Sequence, residues 1–232
     1  MQYSPYSAAR SQPIVIDSSV EAQVYGLFAL AIGLTTVGVY IGSLFAVTLF
    51  SSGMLFLFLI AELAIIFTSS FWMDKSPLNY LLFGIFPLLS GITITPYILS
   101  VATGYANGTS ILLNALGATA CMGLAAGVFA RTTRWNLGGL GKALIFSIIG
   151  LLVLGLFQVF IPSLRTGQFD LILSGAGVVI FALFTAYDVQ RIQNLSRYGA
   201  NPFMLALSLY LDIFNLFLYV LRLMTAISGN RR

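Results

Sequence analysis

The sequence predicts an all-α integral membrane protein with seven transmembrane helices. Of the 232 residues, 59% are hydrophobic and 8% are charged, whereas soluble domains carry about a quarter charged residues. The mean hydropathy is +0.96. Seven apolar runs each approach the ~20 residues that cross a bilayer as a helix. They lie at about 24–45, 54–72, 80–101, 111–129, 143–161, 171–187 and 203–221.

Short polar segments, rich in turn and helix-breaking residues, separate these runs. Helices are predicted because the backbone must satisfy its own hydrogen bonds in lipid, and the long runs lack the alternation of a membrane barrel. We expect a polar N-terminal tail over residues 1–23, without a hydrophobic signal segment, and a single seven-helix transmembrane domain over residues 24–232. The separating segments are MDKSP (73–77), TGYANGTS (103–110), RTTRWNLGG (131–139) and SRYGANP (196–202).

Small residues in two runs predict close helix packing. Gly123 and Gly127 have the spacing of small residues at membrane helix interfaces, with Gly117 in the same run. Gly175 and Gly177 form a similar pair in the sixth run. We expect these positions to lie against neighbouring helices.

Histidine is absent and Cys121 is the single cysteine, which excludes the usual zinc motifs, Ser-His catalysis and an internal disulfide. The net charge of +4 is modest and its basic residues lie mainly in loops. This pattern favours a lipid bilayer over nucleic acid as the partner. We expect no resident cofactor.

The distribution of Lys and Arg predicts a cytoplasmic N-terminus. With that orientation, seven basic residues fall on the cytoplasmic side and four on the other. The basic C-terminus fits poorly, so either it is tolerated outside or the final run is buried or re-entrant. The seven are Arg10, Lys75, Arg131, Arg134, Lys142, Arg191 and Arg197, and the four are Arg165, Arg222, Arg231 and Arg232.

Three carboxylates, Glu62, Asp188 and Asp212, fall within or at the end of apolar runs. A charge at mid-bilayer costs roughly 2.5–3.5 kcal/mol on insertion scales, so we expect such residues to face the protein interior. Asp188 and Asp212 each lie 12 residues from Ala200 in the turn between the last two runs. In an antiparallel hairpin this places both roughly 13 Å deep, near the midplane.

If the two aspartates meet, they cannot both be ionised comfortably and can share one proton. A chain without histidine could therefore still respond to pH. The alternative interpretation pairs Asp188 with Arg191 and bonds Asp212 locally to Asn215 or Ser208. Glu62 has two equally good interpretations: a functional role, or a structural hydrogen bond to a neighbouring Thr or Tyr.

The segments FTAYDVQRI and LSLYLDIFNLFLYVLRLM, with SGITITPYILS and AQVYGLFAL upstream, resemble the Bax inhibitor-1 family in a bacterial form. The resemblance extends from about Ala22 to the C-terminus. Its most specific motifs are Tyr-Asp and Leu-Tyr-Leu-Asp in the last two runs. It implies a seven-helix fold whose last helix is enclosed by the other six.

The resemblance also implies a pH-sensitive calcium leak channel. Asp188 and Asp212 would form the pH sensor at the gate, and Glu62 would face the pore. With waters and freed carbonyls, these three carboxylates could offer calcium a weak transient site. Family members with a latch place a basic residue near FWMDK, where this chain has Asp74 and Lys75. Lys75 and Arg191 are the candidate latch residues.

Two other functions stay open from the sequence. A pair of intramembrane aspartates is also typical of an intramembrane aspartyl protease. The Gly-x-Gly-Asp and Pro-Ala-Leu elements of such proteases are missing here, so we expect that the protein is not an enzyme. A non-conducting regulator of a membrane protease is the other alternative. The predicted location is the bacterial inner membrane, with an organelle membrane such as the endoplasmic reticulum as the alternative.

Overall fold

The computed structural model describes residues 19–164 and 166–229, and the regular elements in these ranges are all helical. Most of the polar tail, together with Arg10, Arg165, Arg231 and Arg232, lies outside the described residues. The α-helices are α1 (Val20–Leu44), α2 (Ala46–Ser51), α3 (Met54–Phe67), α4 (Ser69–Trp72), α5 (Leu78–Gly104), α6 (Gly108–Thr132), α7 (Gly141–Phe160), α8 (Gly167–Ser196) and α9 (Pro202–Ser228).

Six of the described helices are long and apolar enough to cross a membrane. The exception among the seven predicted runs is the second, which breaks at Thr68 into α3 and α4. With 14 residues, α3 is about 21 Å long, short of a hydrocarbon core of ~30 Å. The all-α membrane class is therefore confirmed, but the count of seven spanning helices is not.

A threonine back-bond lies at the break in the second run. The Thr68 hydroxyl donates to the carbonyl oxygen of Ala64 at 2.6 Å, and such back-bonding bends helices. The indole nitrogen of Trp72 then donates to the Ile65 carbonyl at 3.1 Å. This bond fixes α4 against the end of α3.

The last helix, α9, is the most deeply buried of the long helices. It packs against α8, α1, α6 and α5, while α7 packs on α8 and α3 packs on α5. The enclosure that the resemblance implies is thus provided mainly by four helices.

Helices α1 and α5 pack almost backbone to backbone through two glycines. A Cβ atom on Gly38 would overlap the carbonyl oxygen of Leu88, and one on Gly91 would overlap that of Thr35. This contact gives the bundle a tight α1–α5 pair beside the α8–α9 hairpin.

The glycines that were predicted to pack closely divide into two groups. Gly123 faces Ile213 of α9, and Gly177 faces the ring of Tyr219, so for these two the structure confirms the prediction. It is wrong for three others, because a Cβ atom at these positions would meet nothing within 4 Å. They are Gly117, Gly127 and Gly175.

The bundle has two ends of unequal charge. At one end, Arg131 of α6 pairs with Glu21 of α1, and Asn201 of the α8–α9 turn bonds the Met73 carbonyl after α4. At the opposite end Ser228 approaches Asn107. Helix α1 runs from the first end to the opposite end, where α2 follows it. Helices α3 and α4 then lead the chain back to the first end. We call the first the basic end, because it carries Lys75, Arg131, Arg134, Lys142, Arg191 and Arg197 among the described residues.

Candidate functional site: an intramembrane carboxylate pair

The α8–α9 hairpin positions the candidate site, and its turn is built by residues suited to that shape. Gly199 adopts φ 69°, in the left-handed region that favours glycine. The Asn201 side chain accepts hydrogen bonds from the backbone nitrogens of Phe203 and Met204 and so caps α9. Pro202 at the first helical position adds a fixed φ that suits a helix start.

Asp188 and Asp212 are level with each other in this hairpin. Asp188 is eight residues before the last residue of α8, and Asp212 is ten residues after the first residue of α9. At 1.5 Å per residue these positions are about 12 Å and 15 Å from the turn. The two carboxyl groups interact directly, and the residues are only 2% and 5% exposed. The equal chain distances thus place them as expected.

One cation and one hydroxyl complete the surroundings of the pair. The guanidinium of Arg191 lies 3.5 Å from Oδ1 of Asp188, and Ser208 approaches the same carboxyl group. Asn215 instead donates to the Leu211 carbonyl at 2.7 Å. The ion pair of the alternative interpretation therefore coexists with the aspartate pair, whereas a bond from Asn215 to the second aspartate is not formed.

The charges at this site do not balance if both aspartates are ionised. Oδ2 of Asp188 and Oδ2 of Asp212 are buried without a hydrogen-bond partner among the described residues. Arg191 compensates one negative charge, and a second buried charge without a partner is strongly unfavourable. A proton between the carboxyl groups would remove the second charge and supply a donor to an orphaned oxygen. The arrangement is suited to hold a proton or exchange it for a cation.

Glu62 belongs to a different polar group. Its carboxylate accepts a hydrogen bond from the Thr93 hydroxyl at 3.0 Å, and it lies within electrostatic range of Tyr210. The Tyr210 hydroxyl in turn bonds Thr35 at 2.8 Å. Ser90 of α5 approaches both Glu62 and Tyr210. This polar row, consisting of Glu62, Thr93, Ser90, Tyr210 and Thr35, links α3, α5, α9 and α1.

Asp188, Asp212 and Glu62 do not form one metal-binding group in this structure. Within residues 19–164 and 166–229, no group of three or more carboxylate, thiol or imidazole side chains could hold one metal ion. The physical reason is that α3 packs on α5, where Glu62 bonds Thr93 and does not join the aspartate pair. A hydrogen bond to a neighbouring Thr was one of the two interpretations of Glu62 from the sequence.

The two candidate latch residues, Arg191 and Lys75, differ in their ion pairing. Arg191 forms the ion pair with Asp188, whereas Lys75 takes part in no ion pair among the described residues. Asp74 accepts a hydrogen bond from Asn201 at 2.6 Å. The end of α4 is thus tied to the hairpin turn through an amide rather than through a lysine.

A second charged cluster was missed by the sequence interpretation. Arg222 of α9 pairs with Asp170 of α8 at 2.6 Å, and both also bond Gln158 of α7. An arginine within an apolar helix demands a partner, which was the available signal. The partner could not be found by equal distance from the turn, because Asp170 and Arg222 are not at matching positions in the hairpin.

Six long apolar helices and a buried acidic pair define this protein as a multi-pass α-helical membrane protein. The family model described as inhibitor of apoptosis-promoting Bax1 matches residues 17–230. The chain therefore belongs to the Bax inhibitor-1 family.

Several bacterial and eukaryotic proteins are similar to the chain. An uncharacterised protein of Helicobacter pylori is 31% identical over 223 residues, covering 95% of this chain and 91% of its own. The inner membrane protein YbhL of Escherichia coli is 29% identical and covers both chains fully. Bax inhibitor 1 of Schizosaccharomyces pombe is 29% identical over 66% of this chain and 54% of its own.

Proposed function

We propose that the protein is a pH-sensitive calcium leak channel gated by the Asp188–Asp212 pair. The observation that supports this proposal is the direct contact of two almost fully buried carboxyl groups on adjacent helices. Such a pair holds a proton at low pH and exposes negative charge to a cation when the proton leaves. Protonation and cation occupancy therefore compete at one place.

We take the present arrangement as the closed state of the proposed gate, because both aspartates are shielded from solvent. Opening requires a shift of the helices around the pair. Arg191 is the proposed internal latch, because its ion pair neutralises Asp188 in the closed arrangement. Release of this pair would give calcium a carboxylate ligand, the hard oxygen ligand that it prefers.

The polar row at Glu62 is a proposed second contact for the moving ion. Glu62 is partly exposed and is anchored by Thr93 alongside α5. Separate acidic positions suit a leak better than one complete cage, because conduction needs sites that bind loosely enough to release the ion. We propose no resident metal or cofactor, with calcium as the transported ion.

Calcium flux into proteoliposomes tests the proposal. The wild type should show a pH-dependent leak, and Asp188→Asn and Asp212→Asn should each remove most of that pH dependence because the shared proton is lost. Asp74→Asn is the charge-matched control. It removes an exposed carboxylate at the basic end, bonded to the Asn201 amide, and should leave the profile unchanged.

An unchanged leak and pH profile in Asp212→Asn would contradict the channel proposal. Cleavage of a membrane peptide that Asp188→Ala abolishes would instead favour the aspartyl protease. A wild type inert in flux assays, with a stoichiometric protease partner, would favour the regulator. We propose a non-enzymatic role because the sequence lacks the Gly-x-Gly-Asp and Pro-Ala-Leu elements of intramembrane aspartyl proteases.

We also propose that the protein lies in the bacterial inner membrane with its N-terminus in the cytoplasm. The support for the location is the similarity to a protein named as an inner membrane protein. The support for the orientation is the charge of the basic end, where six basic residues compare with Arg222 at the other end among the described residues.

A further inference from the structure

An apolar groove runs along the side of the bundle between α1 and α6. These helices do not pack closely along their lengths, and the space between them has a volume of about 920 Å³. From Leu112 to Arg131 the groove follows α6 for about 28 Å. Its floor comes from α8 and α9, including Val189 and Ile213, and its walls are almost entirely apolar.

The groove opens toward the lipid rather than into the protein interior. Leu116 and Val128 on its α6 side are 54% and 62% exposed, and Ile32 on its α1 side is 39% exposed. Gly127 also lines it, and a Cβ atom there would meet nothing within 4 Å. The hydrocarbon of one leaflet is ~15 Å deep, so an acyl chain entering from the basic end fits within the groove.

A polar pocket of about 490 Å³ adjoins the groove at the basic end, and Arg131 lines both spaces. The charged side chains of the pocket are Arg131, Arg197 and Glu21, so its net charge is +1. Gln193 adds an amide, and the hydroxyl oxygen of Ser196 is buried there without a hydrogen-bond partner among the described residues. The pocket therefore offers donors and one excess positive charge.

We propose that these two spaces form a binding site for one anionic glycerophospholipid from the leaflet at the basic end. The phosphate lies in the polar pocket against Arg131 and Arg197, which donate charge-assisted hydrogen bonds, the strong kind. An acyl chain lies in the groove. A headgroup with a single net negative charge balances the pocket. This site is separate from the Asp188–Asp212 pair and does not depend on the proposed leak.

Native mass spectrometry of delipidated protein titrated with palmitoyl-oleoyl phosphatidylglycerol tests the proposal. We expect one lipid per chain, bound more tightly than phosphatidylcholine of the same chains, whose quaternary ammonium meets the arginines. Arg197→Gln should weaken phosphatidylglycerol binding about tenfold, from the loss of one hydrogen bond to a charged group. Arg134→Gln is the matched control, because Arg134 is exposed at the same end and does not line the pocket.

Gly127→Leu tests the groove itself. The new side chain fills space now open, so this variant should lose the stoichiometric lipid while keeping its helical content. Gly117→Leu is the control on the same helix, since Gly117 is exposed, has open space and does not line the groove. The proposal would be overturned if Gly127→Leu bound phosphatidylglycerol as well as Gly117→Leu does, or if Arg197→Gln bound it as well as the wild type does. Equal affinity of the wild type for phosphatidylglycerol and phosphatidylcholine would also overturn it. So would a dimer that Gly127→Leu dissociates without any change in lipid binding.

Discussion

Single residues decide how closely the helices of this bundle approach one another. Gly38 and Gly91 lie where the backbones of α1 and α5 meet, and neither position has room for a Cβ atom. In membranes such small residues replace the hydrophobic driving force with close van der Waals packing. By contrast, a Cβ atom added to Gly84 of α5 would lie 3.7 Å from its nearest neighbour, Cδ1 of Leu34, which is an ordinary van der Waals contact.

We predict that Gly91→Ala destabilises the protein by about 1–3 kcal/mol, because overpacking forces α1 and α5 apart. Gly84→Ala should be neutral or stabilising by up to ~1 kcal/mol, since alanine favours a helix and the contact is ordinary. Thermal unfolding in detergent, followed by tryptophan fluorescence, compares the two. Equal stability of both variants would contradict the packing argument.

At the scale of elements, the α8–α9 hairpin depends on Asn201. Its side-chain oxygen caps α9 through Phe203 and Met204, and its amide nitrogen bonds the Met73 carbonyl and Asp74. One side chain thus begins the most buried helix and ties it to the end of α4. The depth of the aspartate pair is measured from this turn.

Asn201→Ala should lower the free energy of unfolding by about 1–2 kcal/mol, the range for loss of a helix cap. Asn194→Ala, at an exposed position of α8, serves as the control and should change stability by less than ~0.5 kcal/mol. Unfolding in mixtures of mild detergent and dodecyl sulfate measures both. A smaller effect for Asn201 than for Asn194 would show that the cap does not stabilise the hairpin.

For the whole molecule, the charge difference between the ends predicts its orientation. Replacing the single cysteine by Cys121→Ala allows one reporter thiol at each end, Ser19→Cys at the basic end and Asn107→Cys at the opposite end. Both positions are exposed. In intact bacterial spheroplasts, an impermeant maleimide should label Asn107→Cys and should reach Ser19→Cys only after permeabilisation. The reverse pattern would contradict a cytoplasmic N-terminus, and Cys121→Ala alone should remain unlabelled.

The sequence by itself determined the membrane class and the level of Asp188 and Asp212. Hydrophobic run length is a local property, and equal chain distance from a tight turn fixes equal depth on two rigid helices. Only the tertiary structure decided that Glu62 bonds Thr93 instead of joining the pair, and that Arg222 meets Asp170. These outcomes depend on which helices lie side by side, and depth along an axis carries no information about lateral neighbours.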